Sequence, residues 1–363
     1  MGLTIRPFDS DGHVFEDERE IQTYIISEGV MPEEWPVLRL FPSMDGWHRG
    51  FLTNAVERGK MASLKASGDG KGPTVATWRG MLDALEAEGA VLFPTVGLTV
   101  GLIQDPDWAA LVSAAYNRWI VAKYTSQDAR FFAAGLLPVQ HPAAAVREIE
   151  RVRQESSAIR VMCLPSVVRT AKSYGHKDYW PIYEAAQAAG MPLALHGSPS
   201  LGFGLDHLDE FVKVHTLSHP IPIFIQLTDL FFSGVFDAFP KLKIAFLEAG
   251  CSWVPWMIDR LTYEMNSIFG IHARRRLQRT PAQVLRESDQ FWVSAETGEA
   301  GIKACADAIG SERILYASDF PHEPPKATIV EELRELATRA DLTELERRNI
   351  LSVNVKRFLG VTP

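Results

Sequence analysis

The chain has 363 residues, 46% of them hydrophobic and 23% charged, with 37 Lys and Arg against 45 Asp and Glu for a formal charge of −8. That length supports a full core in one large domain or two ordinary ones, and the composition excludes disorder. Nucleic acid and an anionic membrane are excluded as partners, because phosphate binding needs clustered Lys and Arg and only Arg274-Arg275-Arg276 supplies such a run.

The cysteines Cys163, Cys251 and Cys305 are widely spaced and form neither a CxxC pair nor a disulfide framework. No segment reaches the roughly 18 uninterrupted apolar residues that cross a bilayer, and the start MGLTIRPFDS lacks a basic and an apolar signal region. The expectation is a cytoplasmic protein acting on a small molecule.

In chain order, the first expected strand is Leu3-Thr4-Ile5, followed by Asp9-Ser10-Asp11-Gly12-His13. In extended chain, alternate side chains share a face, so Asp9, Asp11 and His13 project together and offer half of a metal site. The alternative is a turn, for which Asp-Gly is a good dipeptide. Residues 14–89 read as a long insertion or lid within a single domain spanning 1–363, irregular and punctuated by Gly68-Asp69-Gly70-Lys71-Gly72. Its Trp35, Phe41 and Trp47 are candidate walls of a substrate pocket, and Arg49 is a candidate for an anionic substrate group.

From there the pattern is regular. Apolar runs that read as buried strands are Ala90–Pro94, Phe131–Leu137, Ile159–Cys163, Pro192–His196, Ile244–Glu248, Phe291–Ser294 and Ile314–Ser318. Helix-period segments lie between them, clearest at Pro142–Glu155, Tyr179–Ala189, Ser252–Ile268 and Ile329–Arg339. Eight apolar strands alternating with amphipathic helices predict an α/β fold, the closed (β/α)8 TIM barrel with a long insertion after strand 1. A doubly wound sheet would carry a Gly-rich phosphate turn after an early strand, and none is present.

Barrel chemistry sits at the carboxyl ends of strands, so polar residues that close apolar runs are the candidates. Strand one ends in Asp11 and His13, strand five in His196, strand six in Glu248, and strand eight in Asp319 with His322 three residues on. Singly, each has a structural alternative: His196 as a core histidine, Glu248 as a cap of the helix at Ser252, Asp319 as a cap before Pro321. Jointly they predict a divalent metal site, with Asp9 and His219 in support behind it and His176 on the surface.

At these residues the chain resembles the amidohydrolase superfamily, in particular the branch of the aminocarboxymuconate semialdehyde and resorcylate decarboxylases. The carriers are Asp11 and His13, Leu195-His196-Gly197, Phe239-Pro240-Lys241-Leu242-Lys243, and Ser318-Asp319-Phe320-Pro321. The resemblance covers nearly the whole chain and implies Asp11, His13, His196 and Asp319 as metal ligands. Two departures stand out: Glu248 occupies the place of the branch's catalytic histidine, and His322 is an added imidazole. Strand four also ends without a Lys to bridge two ions.

The six side chains Asp11, His13, His196, Glu248, Asp319 and His322 suffice for two ions about 3.5 to 4 Å apart. That inventory resembles a small offshoot of dinuclear iron, or mixed manganese and iron, monooxygenases. The favoured expectation is therefore hydroxylation of a small organic substrate with dioxygen, Glu248 and His322 being catalytic. The alternatives are a decarboxylase or hydrolase of a small aromatic or unsaturated carboxylic acid with one Zn or Mn, and a catalytically inactive structural subunit. A homo-oligomer, or a hetero-oligomer with a related barrel, completes the expectations.

Overall fold

The computed structural model describes residues 5–27, 39–42, 72–169, 172–198, 203–208, 210–322 and 326–361. Eight parallel strands follow one another in a single sheet in the order of the sequence. They are β1 (Phe8–His13), β2 (Gly89–Phe93), β3 (Phe131–Leu136), β4 (Ile159–Pro165), β5 (Leu193–His196), β6 (Ile244–Leu247), β7 (Phe291–Glu296) and β8 (Ile314–Ala317). The sheet curls into a (β/α)8 barrel, and the strands read as apolar runs because both of their faces are covered.

The first strand is the correction. It contains the Asp9–His13 stretch instead of preceding it, and Ile5 lies outside the strand. Acidic side chains are tolerated there because the strand uses them to close the barrel. The Asp9 carboxylate accepts hydrogen bonds from the Ser318 N–H (3.0 Å), the Ser318 hydroxyl (2.5 Å) and the Asp11 N–H (3.2 Å). The backbone seam continues from Asp319 N–H to Asp11 O (2.9 Å) and from His13 N–H to Phe320 O (2.7 Å). Pairing with β2 is irregular between Asp9 and Gly12, so Asp9 serves the seam while Asp11 and His13 serve the mouth.

Helices start where the sequence supplies caps. Asp105 and His141 each accept backbone N–H bonds ahead of a proline in the first turn, and Thr280 with Gln283 and Thr343 with Glu346 form reciprocal capping boxes. The helix expected over Pro142–Glu155 has those bounds, and the one expected over Ser252–Ile268 spans Val254–Asn266. Among the described residues, no helix is long and apolar enough to cross a membrane.

Within 14–89, the described parts hold a helix over Glu18–Ser27 and a second over Val75–Leu85, where the sequence reading expects irregular chain. Trp78 on the second helix is fully buried under β1 and donates its indole N–H to His13 O at 3.0 Å. Trp35, Trp47 and Arg49 lie outside the described residues. Phe41 is buried in the apolar core.

Candidate metal centre

Four side chains from three places in the barrel meet at the carboxyl ends of the strands. β1 supplies Asp11 and His13, β5 supplies His196, and the turn after β8 supplies Asp319. The tautomers follow from the partners, because a carbonyl oxygen only accepts. His13 Nδ1–H donates to Pro94 O (2.8 Å) and His196 Nδ1–H to Gly197 O (2.7 Å). In the neutral rings both Nε2 atoms therefore carry lone pairs, and both face carboxylates.

His196 Nε2 is 3.1 Å from Asp11 Oδ1, and His13 Nε2 is 3.2 Å from Asp319 Oδ1 and 3.5 Å from Asp11 Oδ1. Acceptors facing acceptors need a cation or a proton between them. His13 Nε2 is buried without a hydrogen-bond partner. Donors about 2.1 Å from one ion stand roughly 3.0 to 3.4 Å apart, the spacing seen here. Nitrogen and oxygen donors without thiolate suit a hard or borderline divalent cation. The rings are held as metal-binding imidazoles usually are, each tied by its other nitrogen to the backbone.

The electrostatics carry the same message. Burial pulls the His13 imidazolium down, but Asp11 and Asp319 outweigh it and hold His13 well above its ordinary value. Burial pushes Asp11 up, and His196 and His13 bring it below the usual carboxylate range. For Asp319, burial is likewise overcome by His322 and His13, leaving it low. Two anionic carboxylates thus draw a positive charge to the place where a divalent ion fits.

Glu248 and Asp319 share a backbone feature that no apolar pattern announces. Both are left-handed, with φ of 66° and 48°. For a residue with a Cβ this costs roughly 1–2 kcal/mol, and it turns each carboxylate back over the strand end it follows. Glu248 N–H donates to Ser294 Oγ on β7 (3.2 Å), and Glu248 Oε2 accepts from His219 Nδ1 at 2.9 Å. Burial pushes the Glu248 carboxyl well above its usual range. A Cβ on Gly197 would sit 2.3 Å from both Glu248 Oε2 and His219 Nδ1, so this contact requires glycine.

His322 stands beside the four. Its Nδ1 donates to Asp319 Oδ1 (3.2 Å), and its Nε2 pairs with Thr95 Oγ1 (2.8 Å). Donor atoms of His13, Glu248, Asp319 and His322 all fall within 4.8 Å of one another, as do those of Asp11, His13 and His196. The structure thus brings together all six expected side chains, with His219 against Glu248 and Asp9 at the seam.

Two contributors escape the sequence reading. Thr95 closes the apolar run of β2, so the rule that singles out the other strand ends applies to it too. Glu16 is half-buried and accepts from the N–H groups of Thr95 (3.1 Å), Val96 (3.0 Å) and Gly97 (2.8 Å), fixing the turn that carries Thr95 and Pro94 O. Nothing in its sequence surroundings marks it.

Comparison with known proteins bears on this site. The model of the amidohydrolase family matches residues 91–361. The chain is 24% identical over 275 residues to 2-amino-3-carboxymuconate-6-semialdehyde decarboxylase of Dictyostelium discoideum, covering 74% of this chain and 72% of that one. Among solved structures, 5-carboxyvanillate decarboxylase of Sphingomonas paucimobilis superposes with a TM-score of 0.77 at 19% identity, over 99% of this chain and 100% of the other. Dihydroxybenzoic acid decarboxylase of Polaromonas sp. JS666, with bound manganese and 2-nitroresorcinol, gives 0.66 at 20% identity, over 98% and 97%. At such identities the structural likenesses carry the fold alone.

These relatives overturn the expectation of a dioxygen-using, two-iron monooxygenase, since they are named decarboxylases. The structure gives both of the departing side chains protein contacts. Both nitrogens of His322 are taken by Thr95 and Asp319, and Glu248 Oε2 is taken by His219.

Proposed function

The chain belongs to the amidohydrolase superfamily, in its aminocarboxymuconate semialdehyde decarboxylase-like branch, and on that premise we propose that it decarboxylates a small aromatic or unsaturated carboxylic acid with one manganese or zinc ion. The observation that carries the reading is the buried His13 Nε2, unpartnered between Asp11 and Asp319 with His196 Nε2 beside it. Decarboxylation stands ahead of hydrolysis because the curated relatives at the family level are decarboxylases.

Asp11, His13, His196 and Asp319 hold the ion. When bound, it supplies Lewis acidity to the substrate's oxygens. The chain's own task is the proton. Loss of carbon dioxide breaks a C–C bond and leaves its electron pair on the substrate carbon, which must then accept H⁺. Glu248 is placed for this. Burial raises its carboxyl well above the usual range, which favours the protonated form, and with Oε2 facing His219 Nδ1 the Oε1 side is the one left for the substrate. His322 holds Asp319 in its ligating orientation and is itself held by Thr95.

The test is elemental analysis together with carbon dioxide release from hydroxylated benzoic acids and unsaturated diacids under anaerobic conditions. One ion per chain and turnover without oxygen are expected. Glu248→Gln should lose about 100-fold or more in kcat while keeping the ion, the usual scale for removing a general acid. Turnover that requires dioxygen, or loss of the ion from Glu248→Gln, would refute the reading.

A further inference from the structure

The end of the barrel opposite the metal ligands carries a cavity that the chemistry described above does not use. It lies where the helices Pro142–Glu155 and Trp180–Ala189 end and β4 begins, and its volume is about 270 Å³. Ile159, Met191 and Leu359 are its buried apolar lining. Arg153, Ser156, Ser157 and Arg160 are its polar lining.

That polar lining offers donors without acceptors to match. Arg160 Nε is buried and has no hydrogen-bond partner, a costly state for a guanidinium N–H. Ser156 Oγ accepts from the N–H groups of Ala158 (3.1 Å) and Ile159 (3.3 Å). Both of its lone pairs are thereby used, so its O–H is left to donate. Among the described residues, neither Arg153 nor Arg160 is in an ion pair. The carboxylate on the wall, Glu155, is held by Arg151 instead.

We propose that this cavity binds a small oxyanion, the carboxylate or phosphate group of a compact metabolite, between Arg153 and Arg160 with the Ser156 hydroxyl donating. The guanidinium fork matches two oxygens of such a group, and a bond to a charged acceptor is the strong kind. Charge decides against other occupants. A cation would meet two guanidinium groups, and an apolar molecule would leave Arg160 Nε dry. Each helix that ends here contributes roughly half a negative charge at its C-terminus, together about one against the two positive charges of the arginines. A surplus of one sign therefore remains at this place, on a chain whose formal charge is −8. Size restricts the ligand as well, because sites for drug-sized molecules run from about 300 to 1,000 Å³. The site stands at the starts of strands whose other ends carry the metal ligands, so its occupancy is separable from the reaction.

Calorimetric titration of the metal-loaded full chain with sodium phosphate and, separately, with sodium succinate at constant ionic strength tests this. Hydrogen–deuterium exchange on the same samples locates the contact. At least one probe should bind saturably and slow exchange within residues 153–160. Binding of phosphate alone would assign a phosphate group, and binding of succinate alone a carboxylate. Arg160→Met should raise the dissociation constant at least about 10-fold, the scale of a lost bond to a charged group. Arg153→Met should raise it about 3-fold, since that bond is exposed. Arg160→Lys, which keeps the charge and loses the fork, should fall between wild type and Arg160→Met. Arg153 lies on the surface, so its variant still reports should Arg160→Met fail the check of fold by circular dichroism. No saturable binding of either probe, slowed exchange confined to the metal-bearing strand ends, or dissociation constants unchanged in the methionine variants would overturn the proposal.

Discussion

Replacing Gly12 with alanine tests whether the metal-binding strand is positioned by the helix beneath it. Gly12 stands between Asp11 and His13, and a Cβ there would lie 2.1 Å from Trp78 Cη2 and 2.8 Å from Cζ2. Carbon atoms rest about 3.5–4.0 Å apart, so the ring or the strand must move by roughly 1.5 Å. Trp78 has little room to yield, since it is fully buried, meets Phe320 edge-on at 5.1 Å and donates to His13 O. Overpacking costs about 1–3 kcal/mol and losing the indole bond about 1 more, so we predict about 2–4 kcal/mol of destabilisation. A shift of that size at Asp11 and His13 should also weaken metal affinity at least about 10-fold. Thermal scans at one fixed rate and chelator competition measure the two effects. Trp78→Leu supplies the control: with the ring gone, Gly12→Ala should add less than about 1 kcal/mol. Equal costs of Gly12→Ala in both backgrounds, or undiminished metal affinity, would refute the reasoning.

Three further outcomes are expected. Burial holds Glu16 up at about 7, against the backbone N–H groups that lower it, while its free value is 4.5. The folded state therefore binds the extra proton between those values, and the stabilisation present below pH 4.5 is lost as the pH rises through 7. Relative to Glu16→Gln, the metal-free wild type should lose about 3 kcal/mol across that window, from about 1.36 kcal/mol per unit. Urea midpoints at pH 5 and 8 check this, and a pH-independent gap contradicts it. Ser318→Ala removes the hydroxyl donor to the Asp9 carboxylate at the seam and should cost about 1–3 kcal/mol, readable as a lower urea midpoint. Stripping the ion with chelator should lower the thermal midpoint, by about 4 kcal/mol of stability if the free ion had stood at 1,000 times its dissociation constant, and readdition should restore it.

The legible part of the fold is the part set by local pattern. Strands β2 to β8 fall on the apolar runs because a barrel strand is buried on both faces and needs no alternation to be recognised. β1 is misplaced because its polar residues, which look like a loop, find their partners 306 to 309 positions away in Tyr316 and Ser318. The helix Val75–Leu85 is missed for a related reason: Trp78 is explained by Gly12 and His13 O, both distant in the chain.

At the site, residue type and strand-end position suffice to nominate Asp11, His13, His196, Glu248, Asp319 and His322, because a buried polar group ending an apolar strand needs compensation wherever the chain takes it. Which of them faces a cation and which faces another side chain is a different kind of fact. It depends on the hydrogen bonds of His13 to Pro94 O, of His322 to Thr95 and of Glu248 to His219, and on the left-handed turns at Glu248 and Asp319. Those contacts join strands that only barrel closure makes neighbours, so the tautomer of each ring and the aim of each carboxylate exist only in the folded chain.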